Sequence, residues 1–273
     1  MLKDITLGQF FPGDSLLHKA DPRAKLIFTI VFIVMLFISN NALSFLLAFV
    51  FTLALIIMSR ISPKAILKGL KPVIFIILFT FFINLFFTSG NEAVFEFYAL
   101  KLYKEGIYKA FVMSLRIILL IASTSLLMSY TTSPIMLTDA IEQLLSPLKV
   151  LKIPVHEFAM MMTIAMRFIP TLIEETDKII NAQKTRGADF SEGGLLKKAK
   201  ALIPVLVPLF VSSFRRADEL AVAMECRCYR GGVGRTRMTK LHYGMCDLAL
   251  LVLFSLFVGG IIALNAYFGH LSY

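Results

Sequence analysis

Charge is scarce in this chain. Only 17% of its 273 residues are Asp, Glu, Lys or Arg, against roughly a quarter in an ordinary globular protein. Hydrophobic residues make up 58%, and the mean hydropathy is +0.78. That balance excludes a soluble globular protein and predicts one that lives in a membrane. Cysteine is scarce as well: three residues over this length exclude a disulfide-stapled secreted fold. The first 25 residues offer neither an apolar core nor a small-residue cleavage site, so no cleaved signal peptide is expected.

Catalytic signatures are missing too. There is no Walker A sequence, no Gly-rich dinucleotide turn and no G-x-S-x-G. His156-Glu157 opens like a zinc-protease helix, but Met160 stands where the second His would have to be. Glu174-Glu175 is similar to the paired glutamates of intramembrane CAAX-type proteases, yet Ile179 takes the place of the required Arg. Cys226-x-Cys228 has no second pair to complete a metal site and reads as small apolar packing in a reduced cytosol. No catalytic residue, metal, cofactor or nucleic-acid partner is expected.

What the chain has in abundance is long apolar runs. A spanning helix needs about 20 mostly apolar residues, and five runs approach this: 26–39, 42–58, 72–88, 111–130 and 247–268. Arg116 lies near the start of the fourth, where its long side chain can snorkel to the interface. Small residues at four-residue spacing, Ser255, Gly259 and Ala263 in the last run, and Ala122 with Leu126 in the fourth, are expected to hold spans together. The 98–108 stretch is too charged to span and reads as an interfacial helix or a loop.

Lys and Arg sort these runs. Residues 1–25 hold four, 59–71 hold four and 131–246 hold sixteen, whereas the opposite side holds three, Lys101, Lys104 and Lys109. The positive-inside rule therefore places the N-terminus and residues 131–246 in the cytoplasm, and an odd number of spans places the C-terminus outside. The organisation predicted is a four-span membrane domain (1–130), a cytoplasmic or interfacial helical domain (131–246) and a final span (247–273).

The middle segment is helical in pattern. Ser133-Pro134 offers a cap with Pro at the first helical position, leading into a helix over 135–148. A second helix begins after Pro154 and ends at Thr185-Arg186, where Gly187 is a natural stop. A third runs from about Leu195 to Arg230 and stops at Gly231-Gly232. Its apolar part, 202–214, contains two prolines and is either a buried or interfacial segment or a sixth, broken span. Each of these long helices thus ends in arginine before glycine: Lys184-Thr185-Arg186-Gly187 and Cys226-Arg227-Cys228-Tyr229-Arg230-Gly231. A cation there complements the helix dipole; as a docking group, a guanidinium can grip a carboxylate with two parallel hydrogen bonds.

The opening Gly8-Gln9-Phe10-Phe11-Pro12-Gly13-Asp14-Ser15, with Leu17-His18 and Asp21-Pro22-Arg23-Ala24-Lys25, resembles that of the transmembrane T component of energy-coupling factor (ECF) transporters. The likeness extends over nearly the whole chain. Residues 182–190 and 223–232 resemble the two short Ala-Arg-Gly-like motifs that end the coupling helices of that family, with Thr185 and Cys226 where Ala is usual and Cys228 where Gly is usual.

The resemblance implies an all-α polytopic membrane protein with about five transmembrane helices and long cytoplasmic coupling helices, in the plasma membrane of a prokaryote. It implies a non-catalytic subunit of an ATP-driven importer of the shared, vitamin-type group. Arg186 and Arg227, with Thr185, Gly187, Cys226 and Cys228 around them, would dock into two ATP-binding-cassette subunits that bind the ATP. One or more substrate-binding S components would be the other partners. Met161, Met162 and Met166, with Leu206 and Phe210, are candidates for touching an S component or for packing on the protein's own spans. The alternative function is a stand-alone carrier or channel, for which only Asn84 and Arg116 offer polar groups within spans.

Overall fold

The computed structural model describes residues 10–39, 41–88, 93–97, 100–151, 154–188, 194–231 and 242–268. The chain is an all-α polytopic membrane protein carrying one small β-hairpin. In order, the elements are α1 (Leu16–Lys19), α2 (Pro22–Ile38), α3 (Ala42–Ser59), α4 (Pro63–Leu70), α5 (Ile74–Phe87), β1 (Ala93–Phe97), β2 (Leu100–Tyr103), α6 (Lys104–Thr124), a π-helical turn (Ser125–Tyr130), α7 (Pro134–Leu144), a 3-10 segment (Ser146–Leu151), α8 (Val155–Thr185), α9 (Leu195–Cys226) and α10 (Met245–Phe268). The described residues fall into two compact units, one built from 10–140 with 242–268 and the other from 141–231.

In the first unit α2, α3, α6 and α10 pack around a continuous core. Phe51 stacks on Phe257 at 4.2 Å between ring centroids, Phe28 on Phe254 at 4.4 Å and Phe32 on Phe257 at 5.3 Å. Leu17, Leu36, Leu55, Leu126, Leu127 and Ile261 are fully enclosed around them. Such dense contact is what holds helices together where lipid tails are as apolar as the side chains.

Polar ties close the bundle at each end. Asp21 caps α2 by accepting from the Arg23 backbone N–H at 2.8 Å and pairs with the Arg23 guanidinium at 2.7 Å. Burial acts to raise the Asp21 carboxyl, but the hydrogen bonds from Arg23 outweigh it and hold the group below the usual carboxylate value. The Asp21 N–H donates to Asp247 at the start of α10, 2.7 Å, and buried Lys25 donates to the Thr131 carbonyl at 2.9 Å. At the other end Ser44 donates to Asn265 at 3.0 Å, and Asn265 donates to the Ile38 carbonyl at 3.0 Å. Arg116 lies well inside α6 and donates to the Ser39 carbonyl at the C-cap of α2, 3.0 Å, with Phe37 and Phe45 flanking it.

Several expectations need correction. Four helices among the described residues are long and apolar enough to cross a membrane: Ala42–Ser59, Pro63–Phe87, Lys104–Tyr130 and Met245–Tyr267. The fifth expected run, 26–39, is α2 with its C-cap Ser39: at 17 residues it is slightly shorter than these four, but it runs beside α10 from the Asp21–Asp247 contact at one end to the Ile38–Asn265 contact at the other. Ser255, Gly259 and Ala263 do not hold spans together; they are exposed, because α10 turns Leu250, Phe254, Phe257 and Ile261 to the core instead. Ala122 and Leu126 are buried, as their spacing suggests. Of the expected interfacial helix or loop over 98–108, residues 98 and 99 lie outside the described residues, 100–103 form β2, paired antiparallel with β1 (Glu96 opposite Lys101, Phe97 opposite Leu100), and 104–108 open α6. The helix expected over 135–148 ends at Leu144 and gives way to the 3-10 segment around Pro147, whose ring cannot continue the α-helical ladder. The third long helix stops at Cys226 rather than Arg230, for a reason set at Cys228.

Candidate functional site: two arginine-bearing helix ends

α8 and α9 have 31 and 32 residues, each about 47 Å long at 1.5 Å per residue. They run antiparallel, as three contacts show. Glu175 of α8 accepts hydrogen bonds from Ser212 and from Arg216, the latter at 3.1 Å. Gln183, eight residues on, donates to the Pro204 carbonyl, eight residues back from Ser212, at 3.4 Å. At the far end, the Glu157 carboxylate lies 3.8 Å from where a side chain on Gly231 would begin.

The Gln183 contact follows from proline chemistry. The Pro204 carbonyl would normally accept from the backbone N–H four residues later, but residue 208 is proline and has none. The freed carbonyl takes the Gln183 side chain, so a helix-interior proline becomes an interhelical tie. Among the described residues, only Val205 of α9 is deeply buried, and α8 buries only Val155 and Ala159. The rest of α9 between 202 and 214 is largely exposed, including Leu206, Val207, Phe210 and Phe214.

Both helices end in the same way. Arg186 is the C-cap of α8; the Gly187 N–H donates to the Lys184 carbonyl at 3.0 Å and the Ala188 N–H to Gln183 at 3.0 Å, with Gly187 at φ +87°. Arg227 is the C-cap of α9; the Cys228 N–H donates to Glu225 at 2.8 Å and the Tyr229 N–H to Met224 at 3.0 Å, with Cys228 at φ +56°. These paired bonds are the Schellman motif, which needs a left-handed residue just after the cap. Gly187 supplies it without strain. Cys228 supplies it at a steric cost that glycine would avoid, and this is why α9 stops four residues before Arg230. Substituting Cys for the usual Gly therefore leaves the helix exit in its ordinary geometry.

Both arginines are exposed, and neither has an ion-pair partner among the described residues. Thr185 turns its hydroxyl back onto the Ala182 carbonyl at 2.8 Å, and Cys226 and Cys228 are free and exposed on either side of Arg227. Because the helices are antiparallel, the arginines sit at opposite ends of the pair. Gln183 lies beside Pro204, so Arg227 is displaced from Arg186 by about 26 residues of helix, or about 40 Å. The suggested partner-contact residues are likewise not brought together: Met161 and Met162 are exposed near the start of α8, Met166 is half-buried, and exposed Leu206 and Phe210 lie toward its other end.

Two features escaped the motif search. Glu175, singled out for a catalytic resemblance, is an interhelical anchor, and Arg216 completes it while lying 5.8 Å from the Phe168 ring. His156 Nδ1 hydrogen-bonds the Glu142 carboxylate at 3.0 Å, linking α8 to the end of α7. Only the Pro204-x-x-x-Pro208 spacing hinted at a helix in need of outside donors.

Comparison with known proteins gives a consistent set of relatives. The family model described as cobalt transport protein, CbiQ, matches residues 13–240. A protein of Ruminiclostridium cellulolyticum named energy-coupling factor transporter transmembrane protein EcfT is 55% identical over 248 residues, covering 91% of this chain and 92% of the relative. The protein of the same name from Clostridium kluyveri is also 55% identical over 248 residues, covering 90% of this chain and 92% of its own. That of Bacillus subtilis is 47% identical over 252 residues, covering 92% and 95%.

Proposed function

We propose, for a chain that belongs to the family of energy-coupling factor transporter transmembrane proteins, that it couples two ATPase subunits to a substrate-binding membrane subunit through Arg186 and Arg227. The observation that carries this reading is the pair of matched helix ends, each presenting an exposed C-cap arginine, about 40 Å apart along an antiparallel helix pair. One globular partner does not easily grip both. Two subunits that close on ATP and part after hydrolysis would each hold one end.

In this reading the chain is a non-catalytic lever. A carboxylate in each ATPase groove receives a guanidinium fork, and the Schellman turn fixes the direction in which that arginine leaves its helix. Glu175, Ser212 and Arg216 tie the two arms near their middle, so displacement of one end is passed to the other arm. The exposed apolar face of α9 around Leu206 and Phe210 fits an S component, and Met161 and Met162 offer a second, separate contact. Residues 1–130 and 247–273 form the membrane platform and 131–246 the cytoplasmic coupling domain, with the N-terminus inside and the C-terminus outside. ATP is bound by the partners, and the cargo is a vitamin-type micronutrient chosen by the S component. The substrate class rests on the N-terminal resemblance alone.

The stand-alone carrier or channel gains no support. Of its two candidate polar groups, Asn84 donates to the Thr80 carbonyl of its own helix at 2.8 Å, and Arg116 caps α2. The test is co-purification of the ATPases with the Arg186→Glu, Arg227→Glu double variant from membranes. Loss of a desolvated charge pair costs about 2–5 kcal/mol per site, so recovery should fall at least a hundredfold while the variant still inserts and folds. Wild-type recovery and transport would end the docking reading.

A further inference from the structure

α4, the short 3-10 link Lys71–Val73 and α5 form one long rod from Pro63 to Phe87 whose two halves differ in chemistry. None of the residues of α5 is buried, and Phe75, Phe79, Phe82 and Phe87 are more than half exposed. The foot of the rod, α4, has two faces. One packs on the π-helical turn: Ile66 is buried, Tyr130 donates its hydroxyl proton to the Ala65 carbonyl at 3.3 Å, and Gly69 lies so near that hydroxyl that an added Cβ would come within 2.3 Å of it. The other face carries Lys64 and Lys68, with Lys71 at the C-cap, all exposed, around Leu67, which is 65% exposed.

No acidic residue occurs between Asp21 and Glu92, and none of the three lysines has an ion-pair partner among the described residues. The rod is 25 residues, about 37 Å, longer than the ~30 Å hydrocarbon layer. With Phe87 at one margin of that layer, the other margin falls about 20 residues back, at Leu67, so Lys64 lies about 4.5 Å outside it, Lys68 at it and Lys71 about 6 Å inside, within reach of a snorkelling ammonium. The headgroup layer is about 5–8 Å deep on each side. Leu67, between them, is placed to dip among acyl chains while the lysine ammonium groups reach the polar layer.

We infer that this face of α4 binds acidic phospholipid headgroups, each phosphate held between Lys64, Lys68 and Lys71 with Leu67 inserted beside the acyl chains. The site is separate from the arginine-bearing helix ends and holds whichever leaflet α4 meets. A lysine at an anionic surface contributes about fivefold in affinity, so three contribute on the order of a hundredfold.

The test follows thermal unfolding of the full-length protein in uncharged detergent while phosphatidylglycerol, phosphatidylcholine or glycerol 3-phosphate is added. Phosphatidylglycerol should raise the wild-type midpoint where the other two do not. The Lys64→Gln, Lys68→Gln, Lys71→Gln variant should need tens to a hundred times more of it, and Leu67→Ser should weaken it too. A charge-matched variant elsewhere, Lys19→Gln, Lys104→Gln, Lys109→Gln, should respond as wild type. The inference falls if phosphatidylcholine works equally, which points to acyl contacts or a protein partner, or if glycerol 3-phosphate alone suffices, which points to a free-phosphate site. It falls equally if the charge-matched variant loses the response, or if the three α4 lysines prove dispensable.

Discussion

The two compact units solve the problem of holding helices together in opposite ways. In the first, aromatic rings from α2, α3 and α10 stack at 4.2–5.3 Å and a ring of leucines is fully enclosed. In the second, α8 and α9 touch through Val205 and a few polar ties, Glu175 with Ser212 and Arg216, and Gln183 with Pro204. Large apolar side chains such as Phe210 and Phe214 stay outside. A unit that ends its own core so early depends on other surfaces for burial. On the proposed function, the difference separates a platform that must persist from a device that must engage and move.

The largest effect should come from cutting into the platform. Phe257→Ala removes the ring that stacks on both Phe32 and Phe51 and should destabilise the purified protein by about 3 kcal/mol or more. Phe210→Ala, in a residue 61% exposed, should leave the unfolding midpoint within about 0.5 kcal/mol of wild type while reducing recovery of the small membrane partner. Thermal unfolding alongside co-purification separates the two, and equal destabilisation by both would abolish the contrast between units. Next comes the tie between the arms. Glu175→Ala strands Arg216 and should cost about 1 kcal/mol locally, the pair being partly exposed. Hydrogen exchange in α8 and α9 should then quicken with little change in α3 or α10, and ATP hydrolysis should proceed with less transport per ATP. The smallest change has the opposite sign: Cys228→Gly relieves the left-handed strain and should stabilise the end of α9 by up to about 1 kcal/mol without loss of ATPase binding.

Both helix ends show how far the residues alone can be read. Gly187 marks the end of α8 because glycine after a cap is a direct statement about φ, and the structure ends the helix there. Cys228 occupies the same left-handed position, yet nothing in a cysteine announces it, so α9 reads as continuing to the next glycines. The apolar runs likewise predict where helices lie but not which side of each faces the core. In α10 the small residues suggested Ser255, Gly259 and Ala263, whereas the phenylalanines on the neighbouring face, having more contact area to gain, determine the packing. Interhelical ties such as Glu175 with Arg216 join residues 41 positions apart, and no local pattern reveals such pairs. That an arginine stands at each helix end was legible, because glycine follows Arg186 directly and Arg227 within four residues.

The central claim is that the two ends of the α8–α9 pair are each held by an ATPase. Photo-crosslinking groups placed at Thr185 and at Tyr229, one per variant, in the complex purified from its own membranes test it most directly. Both positions should yield adducts to ATP-binding-cassette chains, each mapping to a groove lined with carboxylates. Adducts from either position to lipid or to this chain's own spans, with no ATPase adduct, would contradict the account.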